Sequence, residues 1–297
     1  MSPAGEHRPC NPPVDPRGLV SVVTGGAGGI GRALGRRLHD AGASVVVLAD
    51  LDPSWSAEVA THVASEAEGP GSVEGVALDV TDEAATARLV AELTERHGGV
   101  DLWCANAGVA TGEGIDADPA TWQRVWEVNV LGGLHAARVL LPLWQERGHG
   151  HLMITASAAG LLTNLGDAPY SVTKHAAVGL AEWLAITHGG DGIGVSCLCP
   201  QGVRTPMLFG EDAEDLPRSG RGPSAGDIAG SLAARAVHGQ RILEPDEVAA
   251  MALEALAAGE FLILPHDEVA GYEQNRAADH GRWIRGMRRL QASLGPP

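Results

Sequence analysis

Tyr170 and Lys174 stand four residues apart at the start of a stretch with helical periodicity, so their side chains share one helix face. An ammonium beside a phenol favours the phenolate and draws its titration down from the ordinary value of about 10 toward the working pH. The pair can therefore give a proton to, or take one from, an oxygen whose carbon gains or loses a hydride. Ser157, thirteen residues ahead of Tyr170 and just beyond an apolar run of strand length, can donate a hydrogen bond to that oxygen as charge develops on it. Asn129 lies within an otherwise apolar helical stretch, where a buried amide is costly unless it has partners. His175 follows Lys174, but helical geometry turns it off the Tyr170 face, and it reads as a surface or interface residue.

A second set of residues suits a dinucleotide. The run Thr24-Gly25-Gly26-Ala27-Gly28-Gly29-Ile30-Gly31 follows a strand and opens a helix. Such a turn lets backbone N–H groups of Gly25, Gly28, Gly29, Ile30 and Gly31 approach a pyrophosphate at the positive end of the helix. Asp50, nineteen residues after Gly31 at the end of the next strand, is placed to accept hydrogen bonds from ribose hydroxyls. Its charge repels a 2′-phosphate, Leu51 follows it, and residues 25–31 contain no Lys or Arg, so NAD is expected over NADP.

The elements that must hold these residues alternate. Apolar runs of strand length recur at Leu19–Val23, Val45–Ala49, Val73–Leu78, Val100–Ala105, Leu152–Thr155, Val195–Leu198 and Phe261–Leu264, separated by helical stretches. This pattern predicts an α/β fold, a Rossmann-like doubly wound parallel sheet of about seven strands with helices on both faces. Ile30–Ala41, Thr121–Trp144 and Tyr170–Thr187 read as helices, and the last two are apolar enough to suggest subunit contacts, with simple core burial as the competing explanation.

The ordered set of motifs resembles the short-chain dehydrogenase/reductase family over about residues 19–205 and the last strand. Thr24-Gly25-x-x-x-Gly29-Ile30-Gly31 is similar to its cofactor turn, Asp79-Val80 to its adenine-contacting pair, and Asn106-Ala107-Gly108 to the segment closing the fourth strand. Asn129, Ser157, Tyr170 and Lys174 are similar to its catalytic four. The resemblance implies that Lys174 also holds the nicotinamide ribose and that Asn129 holds a water relaying the proton to solvent. It implies that Pro200, Gly202, Val203 and Thr205 line the nicotinamide side, although Gln201 stands where the family usually has glycine. It further implies a homodimer built on the two apolar helices, or a homotetramer.

Ala158 and Ala159, residues 161–167, and Met207, Leu208 and Phe209 are expected to wall a largely apolar substrate pocket. Ala159, Asn164, Gln201, Met207 and Leu208 are the specific substrate contacts expected, with Asp167 a further source of polarity. The natural substrate is then a hydrophobic secondary alcohol or ketone. An NADPH-dependent ketoreductase, a non-redox biosynthetic enzyme and a non-catalytic nucleotide-binding protein are the rival readings.

The chain of 297 residues carries a net charge of −16, which repels nucleic acid and anionic membranes. No apolar run reaches membrane-spanning length, and the first eighteen residues lack the apolar segment of a secretory signal, so a cytoplasmic location is the expectation. The four cysteines and twelve histidines do not form a metal-ligand spacing, and no metal is expected. Residues 1–18 read as a flexible extension, 19–270 as one domain with 207–240 as a substrate flap, and 271–297 as a basic amphipathic helical tail.

Overall fold

The structure is a computed structural model and describes residues 9–209, 235–236 and 240–295. The expected flap at 207–240 falls for the most part outside the described residues, as do residues 1–8 of the expected extension. Seven parallel strands form one sheet in the order β3-β2-β1-β4-β5-β6-β7. They are β1 (Val20–Thr24), β2 (Val45–Asp50), β3 (Ser72–Ala77), β4 (Leu102–Ala105), β5 (Gly150–Thr155), β6 (Ile193–Leu198) and β7 (Leu262–Ile263). Continuous apolar runs suit strands covered on both faces, and alternate side chains enter two separate cores. Val20, Val22, Val45 and Val47 pack on one face, and Val23, Val46 and Leu48 on the other.

The first face is covered by α3 (Glu83–His97), α5 (Gly132–Arg147) and α7 (Ala168–His188). The second is covered by α1 (Gly29–Asp40), α2 (Pro53–Glu66) and a helix here called α9 (Pro245–Ala258). Arg36 and Arg37 of α1 pair with Asp246 at the start of α9 and fasten these two helices together. Among the described residues no helix is long and apolar enough to cross a membrane.

Local sequence sets the helix ends. Asp52, Asp82, Asp118 and Asp167 each accept a backbone N–H at an N-cap, and Gly98, Gly148 and Gly259 close helices in the left-handed conformation. The expected helix at Thr121–Trp144 is interrupted: α4 (Pro119–Trp126) passes into a π turn at Glu127–Leu131 before α5 begins. Short helices α6 (Ala159–Leu162) and α8 (Pro206–Phe209) follow β5 and β6. After β7 come α10 (Glu268–Ala278) and α11 (His280–Leu294).

The described part of the N-terminal segment differs from a free extension. Asn11 is buried, donates through Nδ2 to Val195 O at 2.8 Å and accepts from Val195 N at 3.1 Å. Its backbone N–H donates to Gly259 O at 3.1 Å, and Val14 N donates to Leu256 O at 3.0 Å. The segment is a strap across β6 and α9, because an asparagine side chain can copy the donor and acceptor of a neighbouring strand.

Candidate active site

The winding of the sheet reverses between β1 and β4, and a cavity of about 1010 Å³ opens beyond the carboxyl ends of these strands. Thr24 joins the two sides: its Oγ1 accepts from Asn106 N at 3.0 Å and Ala107 N at 3.1 Å, while Asn106 Nδ2 donates to Thr24 O at 3.1 Å. Gly25 adopts φ +62°, and a Cβ there would lie 3.0 Å from Ala107 Cα. At Gly31 a Cβ would fall 2.1 Å from Gly25 O, so the turn cannot close over any larger residue.

Most cofactor-side expectations meet in this cavity. Gly25, Gly28, Gly29, Ile30, Asp50, Leu51, Asp79 and Val80 line it, with Asn106, Ala107 and Gly108 on the β4 side and Pro200, Val203 and Thr205 after β6. Gly31 and Gly202 do not line it; they support the segments that do. Helix α1 begins at Gly28 with no side-chain cap and no acidic residue in its first turn, unlike the Asp-capped helices elsewhere. A helix N-terminus left in that state toward a cavity suits an anion such as a pyrophosphate. Asp50 accepts from Ala27 N at 3.2 Å and Leu51 N at 2.8 Å, and a carboxylate with about four lone-pair sites can still receive a diol. Asp52, Pro53 and Trp55 continue the lining beside it and add no positive charge.

Ser157, Tyr170 and Lys174 line the same cavity. Lys174 is 3 % exposed, its Nζ donates to Thr155 O at 2.9 Å, and it lies 5.5 Å from the centre of the Tyr170 ring. Burial pulls this ammonium down from 10.5 to about 8. Burial likewise pushes the Tyr170 phenol up to about 12, opposed by a hydrogen bond with Ser157. Desolvation outweighs the Ser157 hydrogen bond at the phenol, and Asp167 and Cys199 push the same way, so the expected net lowering of Tyr170 is not found. Ser157 Oγ accepts from Ala159 N at 3.1 Å and donates to Pro200 O at 3.3 Å, which fixes its rotamer.

Asn129 does not line the cavity. Its Oδ1 accepts from Val109 N at 2.8 Å, and its Nδ2 donates to Val109 O at 2.9 Å and Thr173 Oγ1 at 3.1 Å. The side chain clasps the loop after β4 against α7.

On the substrate side Ala158, Ala159, Asn164, Gln201, Met207 and Leu208 line the cavity, together with Leu162, Thr163 and Leu165. Phe209 and Leu161 do not. Thr163, at φ 74°, is a β-branched residue in the left-handed region, a strain tolerated at functional sites. Asp167 turns away from the expected pocket role. It is 1 % exposed, and its carboxylate accepts from Thr111 N at 2.7 Å, Gly112 N at 2.8 Å, Tyr170 N at 2.9 Å and Thr111 Oγ1 at 3.1 Å. It ties the helix of Tyr170 to the loop after β4; the Asp two residues before Pro169 was the sequence signal of this cap.

Gln201 N donates to His266 Nδ1 at 3.2 Å, and His266 Nε2 meets Gly202 O at 3.1 Å. The buried His266 thus anchors the segment that departs from the family pattern, a role that a lone histidine far along the chain could not announce.

A family model described as short chain dehydrogenase matches residues 19–215. The (+)-borneol dehydrogenase 1 of Salvia officinalis is 33% identical over 243 residues, 80% of this chain and 85% of its own length. The meso-2,3-butanediol dehydrogenase of Serratia marcescens is 33% identical over 233 residues, 78% and 84% of the two chains. A short chain dehydrogenase/reductase from Burkholderia phymatum, solved in complex with NAD, superposes with a TM-score of 0.76 at 32% identity, covering 90% of this chain and 95% of that one. With a crevice at the strand switch point and Ser157, Tyr170 and Lys174 gathered in it, this chain belongs to the short-chain dehydrogenase/reductase family and is an oxidoreductase of secondary alcohols and ketones.

Proposed function

We propose that the protein is NAD-dependent and that Tyr170 is its general acid and base. The observation that carries this reading is one cavity joining the uncapped start of α1 and the Asp50 carboxylate to the Ser157, Tyr170 and Lys174 cluster. NAD, when bound, supplies the hydride acceptor. Asp50 receives the adenosine ribose hydroxyls, the Gly25–Gly31 turn receives the pyrophosphate, and Lys174 receives the second ribose. Ser157 turns its one hydroxyl proton from Pro200 O to the substrate oxygen, and Tyr170 takes the substrate's proton during alcohol oxidation, returning it during ketone reduction. The largely apolar substrate wall, Leu162, Leu165, Met207 and Leu208, supports a hydrophobic small molecule as substrate.

Large apolar side chains stay exposed on the two helices expected to pair: Trp126 and Leu143 on one, Val172, Trp183 and Ile186 on the other. They support a homodimer.

Calorimetric titration with NADH and NADPH, on the wild type and on Asp50→Ala, tests the cofactor, and absorbance of the nicotinamide with a panel of secondary alcohols tests the activity. Tight NADH binding that relaxes toward NADPH in the variant is expected. A preference for NADPH in the wild type would reverse the cofactor assignment, and converted alcohol without net absorbance change would favour the non-redox reading.

A further inference from the structure

Helix α11 lies outside the 19–215 stretch that matches the family, yet Trp283, Gly286, Met287 and Leu290 on one of its faces line the same cavity as Ser157 and Tyr170. Their spacing of three, four and seven residues is that of a single helical stripe. No residue of α11 is fully buried; Trp283 packs in part against the core on the first sheet face, and the stripe as a whole borders the cavity. The helix is nonetheless held at both ends. Asp279 caps its start through Arg282 N at 2.8 Å, and Arg235 Nη1 donates to Leu294 O at 3.0 Å near its close. The ring of Tyr272, from α10, sits 6.5 Å from that of Trp283 and also lines the cavity. Ile284 and the arginines at 282, 285, 288 and 289 are exposed and do not line the cavity, although the Arg289 guanidinium comes up beside Gly286.

An apolar stripe of a flat indole, an adaptable thioether and an isobutyl group recognises hydrocarbon and offers no partner to a second polar group, apart from the indole N–H. Gly286 leaves a gap in that stripe: among the described residues, a Cβ there would meet nothing closer than Arg289 Nη2 at 3.9 Å. A slab with a recess suits a rigid, thick hydrocarbon better than a short flexible chain. We propose that α11 is the specificity-determining wall of the substrate pocket, and that Trp283, Gly286 and Met287 select secondary alcohols on a multi-ring hydrocarbon over small acyclic ones. This rests on the alcohol-oxidoreductase reading and deepens it.

The test compares wild type with Gly286→Leu, which fills the recess, and Ile284→Ala, which alters the outward face. Glycine replacement in a helix interior favours the helix by about 1 kcal/mol, so Gly286→Leu is not expected to unfold the tail. Borneol and 2-butanol serve as the bulky and small alcohols, with camphor binding to the NADH complex measured by calorimetry. Expected for Gly286→Leu is a loss of roughly 10- to 200-fold in kcat/KM for borneol, little change for 2-butanol, unchanged NADH affinity and weakened camphor binding. Ile284→Ala should leave all four unchanged. Equal effects on both alcohols, or none on either, would overturn the proposal. If the wild type oxidises neither alcohol yet Gly286→Leu weakens camphor binding, the wall stands and the activity reading fails; unchanged camphor binding would overturn the wall.

Discussion

Replacing Lys174 by methionine should make the protein more stable at neutral pH while abolishing its chemistry. The ammonium is 3 % exposed and donates to one backbone carbonyl, Thr155 O at 2.9 Å. Among the described residues no carboxylate lies within ion-pair distance of it. A fall from 10.5 to about 8 means that the folded protein disfavours the charged form. At about 1.4 kcal/mol per pH unit, that penalty is about 3 kcal/mol, fully present below pH 8, where folded and unfolded chains are both protonated. Between about pH 8 and 10.5 the folded state releases the proton while the unfolded chain keeps it, so wild-type stability climbs with pH and the penalty disappears. Methionine fills similar space without charge but leaves Thr155 O without its donor, a loss of about 1 kcal/mol. The variant should therefore exceed the wild type by about 2 kcal/mol at pH 7 and fall below it by about 1 kcal/mol above pH 10.5. Urea unfolding of both proteins at intervals from pH 7 to 10 measures the difference, in which titrating groups remote from Lys174 cancel. A variant less stable at pH 7, with a gap that does not change with pH, would refute the reasoning.

Two further perturbations probe what positions the site. Asp167→Ala leaves the Tyr170 N–H at the start of α7 and the Thr111 and Gly112 N–H groups of the loop after β4 without an acceptor, and should lower stability by roughly 3–5 kcal/mol and reduce kcat more than it raises KM. Asp167→Asn, which retains one acceptor oxygen, should recover part of both; thermal melting and steady-state kinetics decide it. Asn11→Ala removes the strap from β6 and should cost about 2 kcal/mol, with faster hydrogen exchange at Val195 N than at the amides of β1.

The sheet was legible because strands covered on both faces must be apolar throughout, and all seven runs became strands with ends shifted by at most a few residues. The glycine turn after β1 was equally legible as a close backbone crossing, since a glycine that must approach a backbone, as Gly31 does Gly25, admits no substitute. What escaped was long-range and polar. Asp167 looked like a pocket residue because nothing local says that Thr111 and Gly112, more than fifty residues earlier, return to it. Asn11 looked like part of a loose end because its partner, Val195, is 184 residues away. The stripe on α11 was visible as a period, but a period does not say whether the apolar face meets a core, a neighbour or a cavity.

The π turn at Glu127–Leu131 gives this region an unusual arithmetic. A regular helix advances about 100° per residue, and the wider turn accommodates one residue more than a regular helix would over the same rise. Deleting one residue there would restore regular hydrogen bonding and leave the flanking turns of α4 and α5 close to their present register, but it would remove the wider turn on which Asn129 reaches Val109. Within these five positions, then, substitutions are graded in their effect while a change of length is not: chain length itself is part of the active-site geometry.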